Sequence, residues 1–333
     1  MQRKTEFIFL TFILLVLSAI LTKMHFDIID TNYVSDQIEL HNQIIDHTAP
    51  SPYQYRVLQP TIVNLLLKLV PERYFRFTFL ASYAFFRFAS LVVGFLFLFL
   101  ALRDCFSRWA SLFGVFFLAA FIPFTYRGYY FQPTSVFEYC VFSMGLLATV
   151  KKKISWLYPI VLFGTLNRET TVFIPLVYFL WHFPMLRKSD YFNLAAIFGL
   201  WVLVFVGLRL LWPAPSDLLD VGQYVRLNMS SPNNWDVFLI LIVCLLPIAT
   251  WRSQPKEYRR LLFFNVAWIP LHFLASQWWE IRYFIPSILV SLPGILWALD
   301  SASPPKIDAD SPTSGRAHIP PSSGDLIGPK IPE

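Results

Sequence analysis

Hydrophobic positions in this chain fall in long runs separated by short polar stretches. The runs lie at 6–22, 74–101, 107–125, 134–150, 154–166, 170–183, 191–212, 235–250, 261–278 and 283–299. A helix of about 20 apolar residues crosses the hydrocarbon core of a bilayer. The pattern therefore predicts an all-α, polytopic transmembrane helix bundle with about 10 crossings. The runs at 154–166 and 170–183 are short, and they read either as two crossings or as one broken or re-entrant hairpin. Segment 57–70 follows another rule. Thr61, Asn64, Lys68 and Glu72 recur every three to four residues among Leu, Ile and Val, the spacing of an amphipathic helix, which is expected to lie in the outer headgroup plane. The run at 6–22 stands behind Arg3 and Lys4. Ala19 and Thr22 make a weak cleavage site, so it reads as a retained anchor rather than a signal peptide. From residue 300 the apolar pattern stops, and Pro, Ser, Gly and Asp dominate 300–333. The organisation expected is a membrane domain over 1–299 and a disordered cytoplasmic tail over 300–333.

Composition leaves little for a soluble domain. Hydrophobic residues make up 56% of the 333 positions and charged residues 14%, against about 25% charged in a soluble domain. Mean hydropathy is +0.52. The 34 Phe, 15 Tyr and 11 Trp suit lipid-facing helices and headgroup belts. The net charge of +6 does not indicate nucleic acid, because the basic residues sit in short loops between apolar runs. With the N-terminus in the cytoplasm, the inner loops hold 13 basic residues, Lys151 to Lys153 among them, against four acids. The outer loops hold eight basic residues against ten acids. Positive-inside counting supports that orientation, with the C-terminus also cytoplasmic. Cys105, Cys140 and Cys244 have neither metal-ligand nor redox spacing and read as packing residues. No GxGxxG, Walker loop, HExxH or GxSxG occurs, so soluble nucleotide chemistry has no support.

The polar clusters all fall on the expected outer side. They are loop 23–56 with Tyr53, Tyr55 and Arg56 at its end, Tyr126 to Pro133 with Arg127 and Tyr129, the Asn167-Arg168-Glu169-Thr170 element, the 213–234 loop, and Trp278 to Tyr283 with Glu280 and Arg282. Solvated loops with belt aromatics account for any one of these; the set as a whole points to a shared site. Arg168 and Glu169 stand between two short apolar runs, where ions are costly unless paired or facing a wet cavity. Arginine forks match phosphate oxygens, and aromatic faces stack on sugar rings. An anionic, sugar-bearing ligand fits that combination. Arg87, near the middle of run 74–101, reads either as a functional ion or as structural glue paired with Glu138 or a carbonyl. His25, His41 and His47 share the first loop with Asp27, Asp30, Asp36 and Asp46. Their spacing matches no ligand motif, so a divalent cation stays an alternative only. Asn228-Met229-Ser230 fits the glycosylation sequon.

At these residues the chain resembles bacterial polytopic membrane proteins of the GT-C glycosyltransferase type, which use polyprenyl-phosphate-linked sugars. Such proteins have one crossing, then an outer loop with a catalytic Asp, then a membrane-parallel helix; here these look like 6–22, 23–56 and 57–70. Their Asp-x-x-Tyr element resembles Asp30-Thr31-Asn32-Tyr33, and their Tyr-x-Tyr-Arg-Val-Leu-x-Pro element resembles Tyr53 to Pro60. Arg168-Glu169-Thr170 and Arg282-Tyr283-Phe284-Ile285-Pro286 are similar to two further elements, while the acidic doublet familiar after the first crossing is absent. The resemblance implies a bacterial plasma-membrane enzyme that transfers a sugar with inversion from a polyprenyl-phosphate donor to a cell-envelope acceptor. It implies Asp30 as base, with Asp36 or Asp27 as runners-up. Arg56, Arg168 and Arg282 would bind phosphate, and Tyr53, Tyr55, Arg127, Glu169 and Glu280 complete the candidate site. The resemblance fixes no cofactor, and a divalent cation stays the alternative. A flippase or carrier of lipid-linked saccharide, and a surface-polysaccharide polymerase, are the competing readings.

Overall fold

A computed structural model describes residues 2–126, 134–215, 221–230 and 235–300. All regular structure among them is helical, in thirteen α-helices joined by short 3-10 and π turns. These are α1 (Gln2–His25), α2 (Val34–Ile45), α3 (Leu58–Leu67), α4 (Phe75–Arg103), α5 (Arg108–Phe121), α6 (Thr134–Val150), α7 (Leu157–Asn167), α8 (Phe173–His182), α9 (Lys188–Leu211), α10 (Val221–Ser230), α11 (Trp235–Leu245), α12 (Lys256–Ala275) and α13 (Ile285–Asp300). Every long apolar run becomes a helix. Polar residues punctuate them: the Ser107 side chain accepts from the Ala110 N–H to start α5, and Asp190 accepts from the Arg187 N–H at the head of α9. Four stretches are long and apolar enough to cross a membrane: Glu6–Asp30, Glu72–Arg103, Arg108–Tyr126 and Lys188–Leu211. Thr134–Val150, Ile154–Asn167, Val237–Thr250 and Ile281–Trp297 are apolar but shorter.

The helices sort into two ends. At one end Glu6 pairs with Arg108, Lys151 with Asp104, and His182 donates to the Thr149 carbonyl. Arg260 caps α8 by donating to the carbonyls of Leu180 and Trp181. Tyr158 donates to Asn193, which brings the starts of α7 and α9 together. This end carries the basic clusters. At the other end the Asn167 amide donates to the Thr134 carbonyl, so α7 runs back along α6. The chain then reverses at Arg168–Val172, and α8 returns beside α6. Residues 154–183 are thus an antiparallel hairpin packed on α6. Its close approach needs glycine: a Cβ on Gly145 would sit 2.5 Å from the Ile174 side chain.

Three sequence expectations change. Segment 23–56 is not a plain loop: α1 runs on through the π turn Phe26–Asp30, and α2 follows. Its apolar positions Ile29, Val34 and Ile44 are buried, and so is Asp30. The 213–234 stretch contains α10. Arg87 does not pair with Glu138 and does not lie at mid-bundle depth. It binds Asp30 at the end of α1, and the neighbouring Phe86 packs on Phe137 in the first turn of α6. The reason is length. With 29 residues, α4 is about 44 Å long, and its first third extends past the ends of α1 and α6. There it packs with α2 and α3, where His41 meets Tyr83 at 2.9 Å. Helix α9 overshoots too. Trp201, midway along it, donates to the Glu169 carbonyl, which leaves its last ten residues, about 15 Å, beyond that level.

Candidate functional site

At the end opposite the basic clusters, chain breaks deliver charged residues into the bundle. Arg56 follows the turn Tyr53–Tyr55. Arg168 adopts extended backbone (φ −164°, ψ 137°) between α7 and α8, so helix hydrogen bonding is interrupted where the side chains must converge. Glu280 and Arg282 precede α13. Three Arg–Glu pairs result: Arg56 with Glu169 at 2.9 Å, Arg168 with Glu138, and Arg282 with Glu280. The Thr170 hydroxyl adds a second bond to Glu138. Tyr283 joins the pairs, because the Arg168 guanidinium lies 4.9 Å and that of Arg282 5.2 Å from its ring centre. Arg56 in turn lies 5.3 Å from the ring centre of Tyr53.

The arginines are buried, Arg168 to 1% exposure. The Glu169 side chain is 28% exposed, which makes it the accessible acid of the three; those of Glu138 and Glu280 are 2% and 9% exposed. Burial by itself would raise the Glu169 pKa, but the Arg56 and Arg168 charges outweigh it and hold the carboxyl at about 2. The same partnership raises Arg56 against the opposing effect of its own burial. Several buried polar atoms here have no hydrogen-bond partner, among them Arg168 Nε, Asn167 Oδ1 and Ser135 Oγ. Beside Ser135 a cavity of 20 Å³ is bounded by Thr125, Tyr139 and Arg282, room for about one water.

Asp30 belongs to a separate, adjoining network. Its two oxygens accept from Arg87 at 2.8 and 3.2 Å, Gln37 donates to Oδ1 at 3.0 Å, and His25 Nδ1 lies 3.3 Å from the same oxygen. Tyr126 packs edge-on against His25. Asp30 is 1% exposed. The other two candidate bases stand apart: Asp27 pairs with Lys23 on the surface, and Asp36 is exposed in the first turn of α2. Tyr55 turns away from the three pairs toward α9, where the Arg209 guanidinium lies 4.1 Å from its ring centre and the Ala214 N–H donates to its hydroxyl. His47 stacks on Trp212 at 4.2 Å, and Gln54 donates to the Trp212 carbonyl, so segment 47–56 is strapped to the end of α9. Arg127 and Tyr129 lie outside the described residues.

Thus Arg56, Arg168, Glu169, Glu280 and Arg282 meet, joined by Tyr53, while Asp27, Asp36 and Tyr55 do not. Sequence reasoning missed Glu138 as the partner of Arg168 and Gln37 as a donor to Asp30. An acid inside an apolar run was the available signal for Glu138. No group of three or more His, Cys, Asp or Glu side chains that could hold a metal ion occurs among the described residues. The sequon asparagine is occupied: Asn228 donates to the carbonyls of Phe273 and Ser276 and accepts from the Trp278 N–H. No family model matches the chain, and neither a curated protein nor a solved structure is detectably similar to it.

Proposed function

We propose that this chain is a multi-pass membrane glycosyltransferase that moves a sugar from a polyprenyl-phosphate donor to a cell-envelope acceptor. The observation that carries the reading is the meeting of Arg56, Arg168 and Arg282 with Glu169 and Glu280 around Tyr53 and Tyr283, at the end of the bundle away from its basic clusters. Membrane residence is supported by the four long apolar helices. It is supported further by bare Phe and Leu side chains on the outside of α4 and α9, such as Phe77, Phe85, Phe192 and Leu203, a surface that lipid covers and water does not. Helices α6, α7, α8, α11, α12 and α13 complete a bundle of about ten crossings in this reading, with the basic end in the cytoplasm.

In the transfer, the acceptor oxygen attacks the anomeric carbon and forms the new glycosidic bond. The bond from that carbon to the lipid phosphate breaks, and its electron pair stays on the phosphate oxygen. The arginines meet the charge growing there, and a carboxylate takes the acceptor proton. Asp30 is the residue that the resemblance favours for this proton, but both its oxygens are engaged by Arg87 and it is buried. The Glu169 side chain is 28% exposed, and a lipid phosphate that takes up Arg56 releases this carboxylate from the pairing that weakens it as a base. We therefore assign the base to Glu169 and a clamping role to Asp30, which holds the end of α1 against α4.

The test is sugar release from a labelled polyprenyl-phosphate donor by the purified protein in lipid nanodiscs. Glu169→Gln is expected to lower turnover by about 10²–10⁴-fold, the usual worth of a positioned base, while the fold is retained. Full turnover in that variant removes Glu169 from the role. Donor binding with no release by the wild-type chain favours a carrier of lipid-linked saccharide.

A further inference from the structure

An apolar groove of 390 Å³ runs between α8 and α9, lined by Phe173, Leu176 and Phe179 on one side and Tyr191, Leu194 and Phe198 on the other. Its upper limit is Val172, the last residue of the 3-10 turn that begins with Glu169. From there it descends toward the basic end, where Tyr191 meets Phe179. The antiparallel course of α8 and α9 and the Trp201 bond to the Glu169 carbonyl hold the two walls in register with the ion pairs.

Depth makes this placement matter. The apolar outer surface of α9 continues past the level of Glu169 to Leu210 and Leu211, and α4 shows Phe77 and Phe85 beyond Arg87. The ion pairs are therefore recessed inside the lipid-facing belt, with segment 47–56 strapped above them. A lipid that presents its phosphate to Arg56 or Arg168 reaches them from the side, and its chain must leave by an apolar path that starts at the same level. The α8–α9 groove begins at that level beside Glu169.

We infer that the α8–α9 groove is the seat of the hydrocarbon chain of the polyprenyl-phosphate donor, with the phosphate at the Arg56–Glu169–Arg168 end. This assignment rests on the transferase reading for the identity of the lipid. It can be tested without turnover. A polyprenyl-phosphate analogue with a photoreactive diazirine on its chain is irradiated with the wild-type protein in nanodiscs, and the labelled peptides are mapped. Labelling is expected within 172–198, to be competed by unlabelled polyprenyl phosphate and not by phosphatidylglycerol. Leu194→Trp, which fills the groove, should cut labelling at least tenfold, whereas Leu203→Trp, on the lipid-facing side of the same helix, should leave it unchanged. Thermal unfolding of both variants checks that each retains the fold; if Leu194→Trp does not fold, Leu176→Phe takes its place. Labelling elsewhere, or equal competition by phosphatidylglycerol, overturns the assignment. Competed labelling in the groove together with an absence of sugar release overturns the transferase reading and leaves the chain-binding groove standing.

Discussion

Removing the Arg87 guanidinium would leave the Asp30 carboxylate buried with Gln37 and His25 as its remaining neighbours. Breaking a buried ion pair from one side costs about 3–5 kcal/mol, so Arg87→Ala is expected to lower the midpoint of denaturant unfolding steeply. Asp30→Asn combined with Arg87→Met should recover part of that loss, since no isolated charge remains. Acid should act in two windows. His41 is buried and bonded to Tyr83; burial pushes its pKa from 6.5 down to about 4. The folded state thus prefers neutral imidazole, and the stability it contributes is whole above pH 6.5 and declines as pH falls toward 4. His41→Asn should make the fall in stability across that interval shallower, with the other buried histidines carrying the remainder. Glu169, held at about 2 against an ordinary 4.5, contributes fully above pH 4.5 and loses its contribution only as pH drops toward 2. Stability measured from pH 6.5 to 4 in wild-type and His41→Asn protein separates the two groups. At this scale the sequence displayed which ions were unusual, because Arg87, Arg168 and Glu280 interrupt or adjoin apolar runs. It did not display which partner each takes: Asp30 and Arg87 are 57 positions apart, and Arg168 and Glu138 are 30.

Helix packing sets a second group of expectations. A Cβ on Gly94 would lie 2.5 Å from the Tyr139 ring and 3.1 Å from the Cys140 Cα; the second neighbour is backbone and cannot swing aside. Gly94→Val should destabilise the α4–α6 contact by about 1–3 kcal/mol, the usual cost of overpacking, readable as a lowered thermal midpoint. Asn228 fastens α10 to the end of α12 with three hydrogen bonds. When the chain is translated into microsomes, no glycan shift is expected at Asn228, because the amide nitrogen a glycan would need is already donating in a buried position. Helix positions were legible from apolar periodicity, most closely for α6, whose bounds agree with the run at 134–150. α2 and α10 were hidden because acids and amides dilute their apolar faces. The length of α4 was visible in the sequence, but the consequence was not: how far a helix overshoots its neighbours depends on where theirs end.

For the molecule as a whole, the decisive quantity is which side each end occupies. Maleimide that does not cross membranes should label Asp36→Cys in intact cells and Lys152→Cys only after permeabilisation. Labelling of both under one condition would place the two ends on one side and remove the basis for the proposed orientation. The separation itself was readable from loop charges, since a basic cluster recurs after every second run. The hairpin at 154–183 was left open by the sequence, because a reversal at Arg168 and a mere kink there have the same apolar pattern.

One further consequence comes from the matching of three arginines with three glutamates in the recessed cluster of ion pairs. At rest these pairs carry no net charge, so an incoming lipid phosphate enters as a rival to a glutamate that already occupies its place. Each molecule bound should displace a carboxylate, and Glu169 released from Arg56 is then the base that takes the acceptor proton. Glu169→Gln would then tighten the grip on polyprenyl phosphate while lowering turnover, and titration calorimetry would register the tighter binding.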